Sequence, residues 1–265
     1  MYNKLTLANK YLRYYLTAAN GRGHGIHSPF IYRFVRDVLN DKKKYYTYAA
    51  IEEARKRLLK DDKVIEVEDK GAGSSVSKSS QRKINDIARA ALKSPKYAQL
   101  LFRIVNYYQP SHILELGTSL GITTAYLAFA KPDAKITTIE GSPAIAAKAL
   151  ENFNRMDLTN INLVTGDFKH ALQPALEQLS TIDLAFIDGN HRKEPTLQYF
   201  EEILKHSHAD TILVFDDIHW SAEMEDAWTV IKRHAAVTCT VDLFFLGLVF
   251  LKNEFKTPQH FTIRF

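Results

Sequence analysis

Apolar residues change their period near Pro110. Before it they recur at helical spacing. Leu5, Leu12, Tyr15 and Leu16 predict a helix over residues 3–19, and the glycine cluster from Asn20 to His27 ends it. Ser28-Pro29 reads as an N-cap followed by proline at the first helical position, opening a helix to about Leu39 with Phe30, Phe34 and Val38 as its apolar stripe. Further helices are predicted at Tyr48–Leu59, Gln81–Leu92 and Pro95–Tyr108, the last stopped by Pro110.

Beyond Pro110, apolar runs of strand length alternate with helical stretches. Strands are predicted at 112–116, 135–139, 161–165, 182–187 and 211–215, and helices at 121–130, 143–155, 169–179, 192–206 and 221–234. Repeated strand–helix units require a parallel sheet with helices on its faces. Two last β-rich stretches, 236–241 and 244–251, suit an antiparallel hairpin turning at Asp242-Leu243.

Charge divides at the same place. Residues 1–110 carry 22 Lys/Arg and 10 Asp/Glu, whereas 111–265 carry 13 and 20, so a basic part precedes an acidic one. We therefore expect a mainly helical N-terminal extension, 1–110, and a second domain, 111–265. The basic part can face nucleic acid, an anionic small molecule or the acidic part itself. Its Gly/Ser-rich stretch at 69–80 reads as a linker, or as a lid in which Lys78 meets a ligand. His24 and His27 make only half a metal site. Cys239 is the single cysteine, so no disulfide framework exists, a cytoplasmic setting is expected, and the thiol reads as a core residue. No signal peptide or membrane-spanning run is visible, and no membrane partner is expected. The aromatic N-terminal helix is a candidate homodimer surface.

Ligands of an open α/β sheet bind at the C-terminal ends of its strands. Ile113–Gly121, ILELGTSLG, joins a buried strand to a helix through a glycine turn; Glu115, Gly117, Thr118, Ser119 and Gly121 stand there. Glu140, in TTIEGSP with Gly141 and Ser142, follows Glu115 by 25 residues, the spacing of an acid that accepts hydrogen bonds from a ribose diol. Asp167 and Phe168 follow the third strand, though Asp167 would serve equally as a helix N-cap. The ExGxxxG spacing, in place of GxGxxG, resembles motif I of the class I S-adenosylmethionine (SAM) dependent methyltransferases. That resemblance implies a Rossmann-like, seven-stranded α/β fold of strand order 3-2-1-4-5-7-6, with Asp167 on the adenine amino group and Phe168 against the ring. HGIHSPF resembles the N-terminal part of an uncharacterised group of the same class.

Strands four and five end in FIDGNH and FDDIHW, which bring Asp188, His191, Asp216, Asp217 and His219 to neighbouring strand ends. Carboxylates ~5 Å apart repel by roughly 3 kcal/mol at an effective dielectric near 20. A divalent cation would relieve this, and all-oxygen ligation suits Mg²⁺. The pattern resembles metal-dependent O-methyltransferases of the catechol type and antibiotic-tailoring relatives with an FIDGxH strand end. By that resemblance Asp188 and Asp216 match metal ligands. Asp217 stands in the place of the asparagine that completes the family's metal ligands, so the expected ligand set is Asp188, Asp216 and Asp217; His191 stands where the family has a lysine base. The expected activity is methyl transfer from SAM to a hydroxyl of a small-molecule acceptor, with His191 and Asp188 catalytic and Asp188 also touching the cofactor. Alternatives are an RNA methyltransferase using the basic part and a NAD-dependent oxidoreductase; the missing GxGxxG weighs against NAD, and the missing NPPY-like motif against a nucleobase.

Overall fold

The computed structural model describes residues 1–23, 26–67 and 80–265. His24 and the expected lid, Ser80 apart, lie outside those residues. The chain opens with α1 (Lys4–Thr17), capped by the Asn3 side chain accepting from the Thr6 N–H, and α2 (Pro29–Phe34), capped by Ser28 and extended by a π-helical turn over Val35–Leu39. It continues through α3 (Thr47–Lys60), β1 (Val64–Glu66), β2 (Gln81–Lys83), α4 (Ile84–Ala91) and α5 (Pro95–Tyr108). Alternation then follows: β3 (His112–Leu116), α6 (Ile122–Ala130), β4 (Lys135–Glu140), α7 (Pro143–Arg155), β5 (Ile161–Thr165) and α8 (Phe168–Leu179). The chain ends with β6 (Ile182–Ile187), α9 (Lys193–Leu204), β7 (Ser207–Asp216), α10 (Ala222–Arg233), β8 (Cys239–Asp242), β9 (Leu246–Phe250) and β10 (Gln259–Thr262).

Eight strands form one sheet of order β10-β8-β9-β7-β6-β3-β4-β5. Counted from β3, this contains the order 3-2-1-4-5-7-6 expected from the sequence, with an eighth strand added at one edge. β9 runs antiparallel to both β7 and β8, so the hairpin ending is present; its turn spans Leu243–Phe245, with Phe244 at φ 70°.

The chain packs as two compact units, Met1–Asp41 with Ser180–Phe265, and Lys42–Leu179. In the first unit, Leu184–Ile187, Leu213–Phe215 and Leu248–Phe250 are buried, and Phe215 lies 6.0 Å from Phe200 and 6.3 Å from Trp228 between ring centroids. In the second, Ile113, Leu114 and Leu116 on β3 and Ile136 and Ile139 on β4 are buried, with Leu100, Leu101 and Ile104 of α5 and Tyr126 of α6. Helices of three to four turns become stable mainly by burying such a face, which explains why apolar period located them correctly.

Three differences have a common cause. Gln81–Lys83, read as helix, is a strand because it pairs antiparallel with Val64–Glu66. β7 begins four residues early: Thr211 Oγ1 donates to the Ile182 carbonyl at 2.6 Å, and His208 Nε2 meets Asp183 Oδ1 at 2.8 Å. β10 was not expected; it pairs parallel to β8, and beyond it Ile263 bridges to Ala19. Each of these strands owes its conformation to a partner distant in sequence, whereas propensity is local. Among the described residues no helix is long and apolar enough to cross a membrane.

Candidate functional site

The unit Lys42–Leu179 holds every residue expected to touch the cofactor except Asp188, which belongs to the other unit. After β3 the chain turns through Gly117 at φ 100°, Ser119 at 48° and Gly121 at 79°, left-handed conformations that favour glycine. The turn is fastened to β4 by the Gly117 N–H, which donates to the Ile139 carbonyl at 3.0 Å. A Cβ on Gly121 would come within 2.5 Å of the Phe153 ring, so the helix start and α7 require a bare backbone there.

Glu140 is the centre of this half. One carboxylate oxygen accepts from the Ser119 N–H and the other from the Ser142 N–H, both at 2.9 Å. Burial pushes its pKa above the usual carboxylate value, and the backbone donors only partly reverse this. Each oxygen keeps a second lone pair for a ligand hydroxyl. Beside it, the buried hydroxyls of Ser119 and Ser142 have no hydrogen-bond partner among the described residues. Buried polar atoms normally find partners. Orphan hydroxyls, an anchored carboxylate and left-handed backbone together fit a bound nucleoside.

Glu115 does a different job. It is fully buried, and its Oε2 accepts from Thr124 Oγ1 and from Thr138 Oγ1, the latter at 2.6 Å; Thr138 in turn meets Thr118 Oγ1 at 2.6 Å. Thr124 and Thr138 were missed by sequence reasoning. Their signal was a pair of adjacent threonines on each element, Thr123-Thr124 on α6 and Thr137-Thr138 on β4. Asp167 Oδ1 accepts from the Lys169 N–H at 2.9 Å, which is N-cap geometry, and Phe168 beside it is half-buried. Gly141 lies between Glu140 and Ser142 in the turn from β4 to α7.

The unit containing β6 and β7 holds the acidic strand ends. Asp188, His191 and Asp216 each offer a ligand atom, all within 4.8 Å of one another. His191 Nε2 is 3.4 Å from Asp188 Oδ1. Left-handed backbone at Asn190 (φ 67°) and His191 (φ 31°) turns the loop back to bring the imidazole there. Asp217 is not one of the trio. Its φ is 53°, and its N–H donates to the Phe245 carbonyl at 2.7 Å, which fastens the strand end to the turn before β9. The trio is thus two carboxylates and an imidazole.

His219 belongs to a separate network. Its Nε2 meets Asp242 Oδ2 at 2.8 Å and its Nδ1 meets Glu225 Oε1 at 2.9 Å. Glu225 also accepts from Lys10 Nζ at 2.9 Å and from the Tyr2 hydroxyl at 2.8 Å. Asp242 and Glu225 were not singled out in sequence: Asp242 stands where the hairpin turn was expected, and Glu225 lies inside a helix. Cys239 is buried, and burial pushes its thiol up to about 12.

Comparison with known proteins agrees with this geometry. Residues 114–218 match the family model described as a methyltransferase domain. The fold is that of the class I SAM-dependent methyltransferases. A catechol O-methyltransferase of Niastella koreensis is 32% identical over 141 residues, 51% of this chain and 63% of that protein. A tRNA (guanine-N(7)-)-methyltransferase of Mycoplasma mobile is 37% identical over 76 residues, 29% of this chain and 38% of that protein. The chain therefore spans less than two thirds of either curated relative. Among solved structures, the O-methyltransferase from Bacillus cereus in complex with SAH superposes with a TM-score of 0.56 at 20% identity, over 83% of this chain and 97% of that one.

Proposed function

We propose that the chain is a SAM-dependent methyltransferase that transfers a methyl group to a hydroxyl of a small-molecule acceptor, assisted by a divalent cation. The observation that carries the cofactor reading is Glu140, held by two backbone N–H groups beside two orphan serine hydroxyls. Glu140 would accept from both ribose hydroxyls, Gly117 would let the methionine end approach the backbone, and Asp167 and Phe168 would take the adenine. SAM, when bound, supplies an already activated methyl group, so the chain's task is alignment of the acceptor oxygen.

Asp188, His191 and Asp216 would hold the cation. One nitrogen and two oxygens favour Mn²⁺ or another transition ion more than the all-oxygen set expected from sequence. Such a cation lowers the pKa of a bound hydroxyl. A second reading rests on the 3.4 Å approach of His191 to Asp188: Asp188 orients the ring, and His191 takes the acceptor proton. The hydroxyl acceptor is supported by likeness to the catechol O-methyltransferase. An RNA acceptor, suggested by the basic N-terminal part and the shorter tRNA-methyltransferase similarity, is the competing reading. A nicotinamide cofactor is disfavoured by the glycine spacing. The unpartnered cysteine favours a cytoplasmic setting.

The test is calorimetric titration of SAM and of NAD into the protein, with and without Mn²⁺ or Mg²⁺. Micromolar SAM binding, abolished in Glu140→Ala, is expected. Asp216→Asn should lose Mn²⁺ binding and keep SAM, whereas Asp217→Asn should keep both. NAD binding without SAM binding would sink the proposal. Mn²⁺ affinity unchanged in Asp216→Asn would remove the cation alone.

A further inference from the structure

His191 reaches its place only because the loop after β6 doubles back. It follows Asp188 by three residues, and an extended stretch of that length would carry it about 10 Å away. Its Nε2 instead stands 3.4 Å from Asp188 Oδ1, and both belong to the trio with Asp216. The reversal is made by two consecutive left-handed residues, Asn190 at φ 67° and His191 at φ 31°, neither of them glycine. Residues with a side chain visit this region singly rather than in runs, and such backbone persists only where its surroundings over-determine it. The approach of His191 to Asp188 is a weak constraint, being longer than the about 2.7–3.2 Å of a well-formed N–H···O bond.

A firmer one stands on α9. Asn190 Nδ2 donates to the Tyr199 hydroxyl at 3.2 Å. Tyr199 lies on the buried face of α9 with Thr196, Phe200 and Ile203, and is itself only 5% exposed. Packing alone is served by phenylalanine, as at the next position. A tyrosine hydroxyl taken out of water needs a polar partner, and Asn190 supplies one. The helix that carries it is anchored in turn. At its start the Lys193 N–H donates to Glu223 Oε2 of α10 at 3.3 Å, and Thr196 Oγ1 meets Met224 Sδ at 3.6 Å. The hydroxyl is a fixed point, and a turn bonded to it is fixed as well.

We propose that Tyr199 is a positioning residue for the site at the ends of β6 and β7. Its hydroxyl fixes the Asn190 side chain, Asn190 fixes the reversal, and the reversal sets the His191 imidazole against Asp188 and Asp216. The role rests on the reading of that trio as a cation or proton-transfer site, since only there does the position of the ring matter. Groups that hold metal ligands in place are worth about 10- to 100-fold in metal affinity. Tyr199 acts at one remove, through the turn, so the lower figure applies.

Mn²⁺ titration of the full chain, followed by calorimetry and by the electron paramagnetic resonance signal of the free ion, tests this. Tyr199→Phe should weaken Mn²⁺ binding by about 10-fold, and Asn190→Ala by the same factor. Because the two residues act in series, the double variant should bind no more weakly than either single one. SAM affinity and circular dichroism should match wild type in all three, which separates a displaced ring from a damaged fold. A tyrosine that only packs would lower the melting temperature and leave Mn²⁺ affinity alone; that result overturns the proposal. So does a double variant whose loss is the product of the two single losses. If the wild type itself binds no Mn²⁺, the cation reading fails and the ring reports instead. At one fixed pH the His191 Cε1 proton resonance of Tyr199→Phe should then move towards that of free histidine. Phenylalanine keeps the aromatic ring, so the shift reads the lost hydroxyl. An unmoved His191 resonance overturns the proposal independently of the metal.

Discussion

His219 Nε2 stands 2.8 Å from Asp242 Oδ2, and the other ring nitrogen is held at 2.9 Å by Glu225. Burial opposes a charge on the ring, but hydrogen bonds and charges from Asp242 and Glu225 outweigh it and raise the imidazole pKa above 6.5. Glu225 shifts the opposite way: burial raises it, and Lys10, His219 and Tyr2 together bring it below the usual value. The pair joins the N-terminal helix to the segment after β7.

The sign of its pH dependence follows from linkage. Because the folded pKa of His219 is raised, its contribution is complete below the unfolded value near 6.5 and is lost as pH rises through the folded pKa. His219→Gln should therefore cost about 2 kcal/mol near pH 6, and the deficit should shrink as the pH is raised. Paired melting curves of wild type and variant from pH 5.5 to 9 measure this. A deficit that grows with pH would contradict the assignment.

Glu140 predicts a pH dependence of cofactor binding. Burial raises its pKa, so the carboxylate that would accept the ribose protonates above the pH at which an exposed glutamate does. SAM affinity should be flat near neutrality and fall on acidification through the raised pKa. Glu140→Gln should bind SAM roughly 10- to 100-fold more weakly at pH 7.5, the worth of a charge-assisted hydrogen bond, and should lose the acid limb. Titrations at a series of pH values separate the two effects.

Gly121→Ala tests the turn. Its φ is 79°, and an added Cβ would meet Phe153 at 2.5 and 2.8 Å and Ala149 at 3.3 Å. Strain and overpacking together should cost about 2–4 kcal/mol, read by urea denaturation. Relief by Phe153→Leu in the double variant would show that the ring contact is the larger part.

Cys239 should be inert. With the thiol pushed up to about 12 and buried, disulfide-reagent labelling of the native protein should be negligible over an hour and complete in denaturant. Rapid native labelling would show that β10 opens away from β8.

Much of this protein is local information. The helices α1, α5 and α7 and the strands β3, β5 and β6 follow from apolar period and from proline and serine at helix starts, because burial of one face decides whether such segments order. The placement of Glu115, Gly117, Glu140 and Asp167 at successive strand ends was legible for the same reason, and topology alone brings strand ends together. What tertiary structure decided was every relationship between residues distant in sequence. It paired Gln81–Lys83 with Val64–Glu66, added β10 beside β8, and gave Glu115 to Thr124 and Thr138. It placed His191 with Asp188 and Asp216 while turning Asp217 to the Phe245 carbonyl. It also linked His219 to Asp242, Glu225 and Lys10. Spacing along a chain determines which face a residue occupies. Whether its polar atoms meet a ligand, a neighbour or another strand depends on closures whose partners no short window contains.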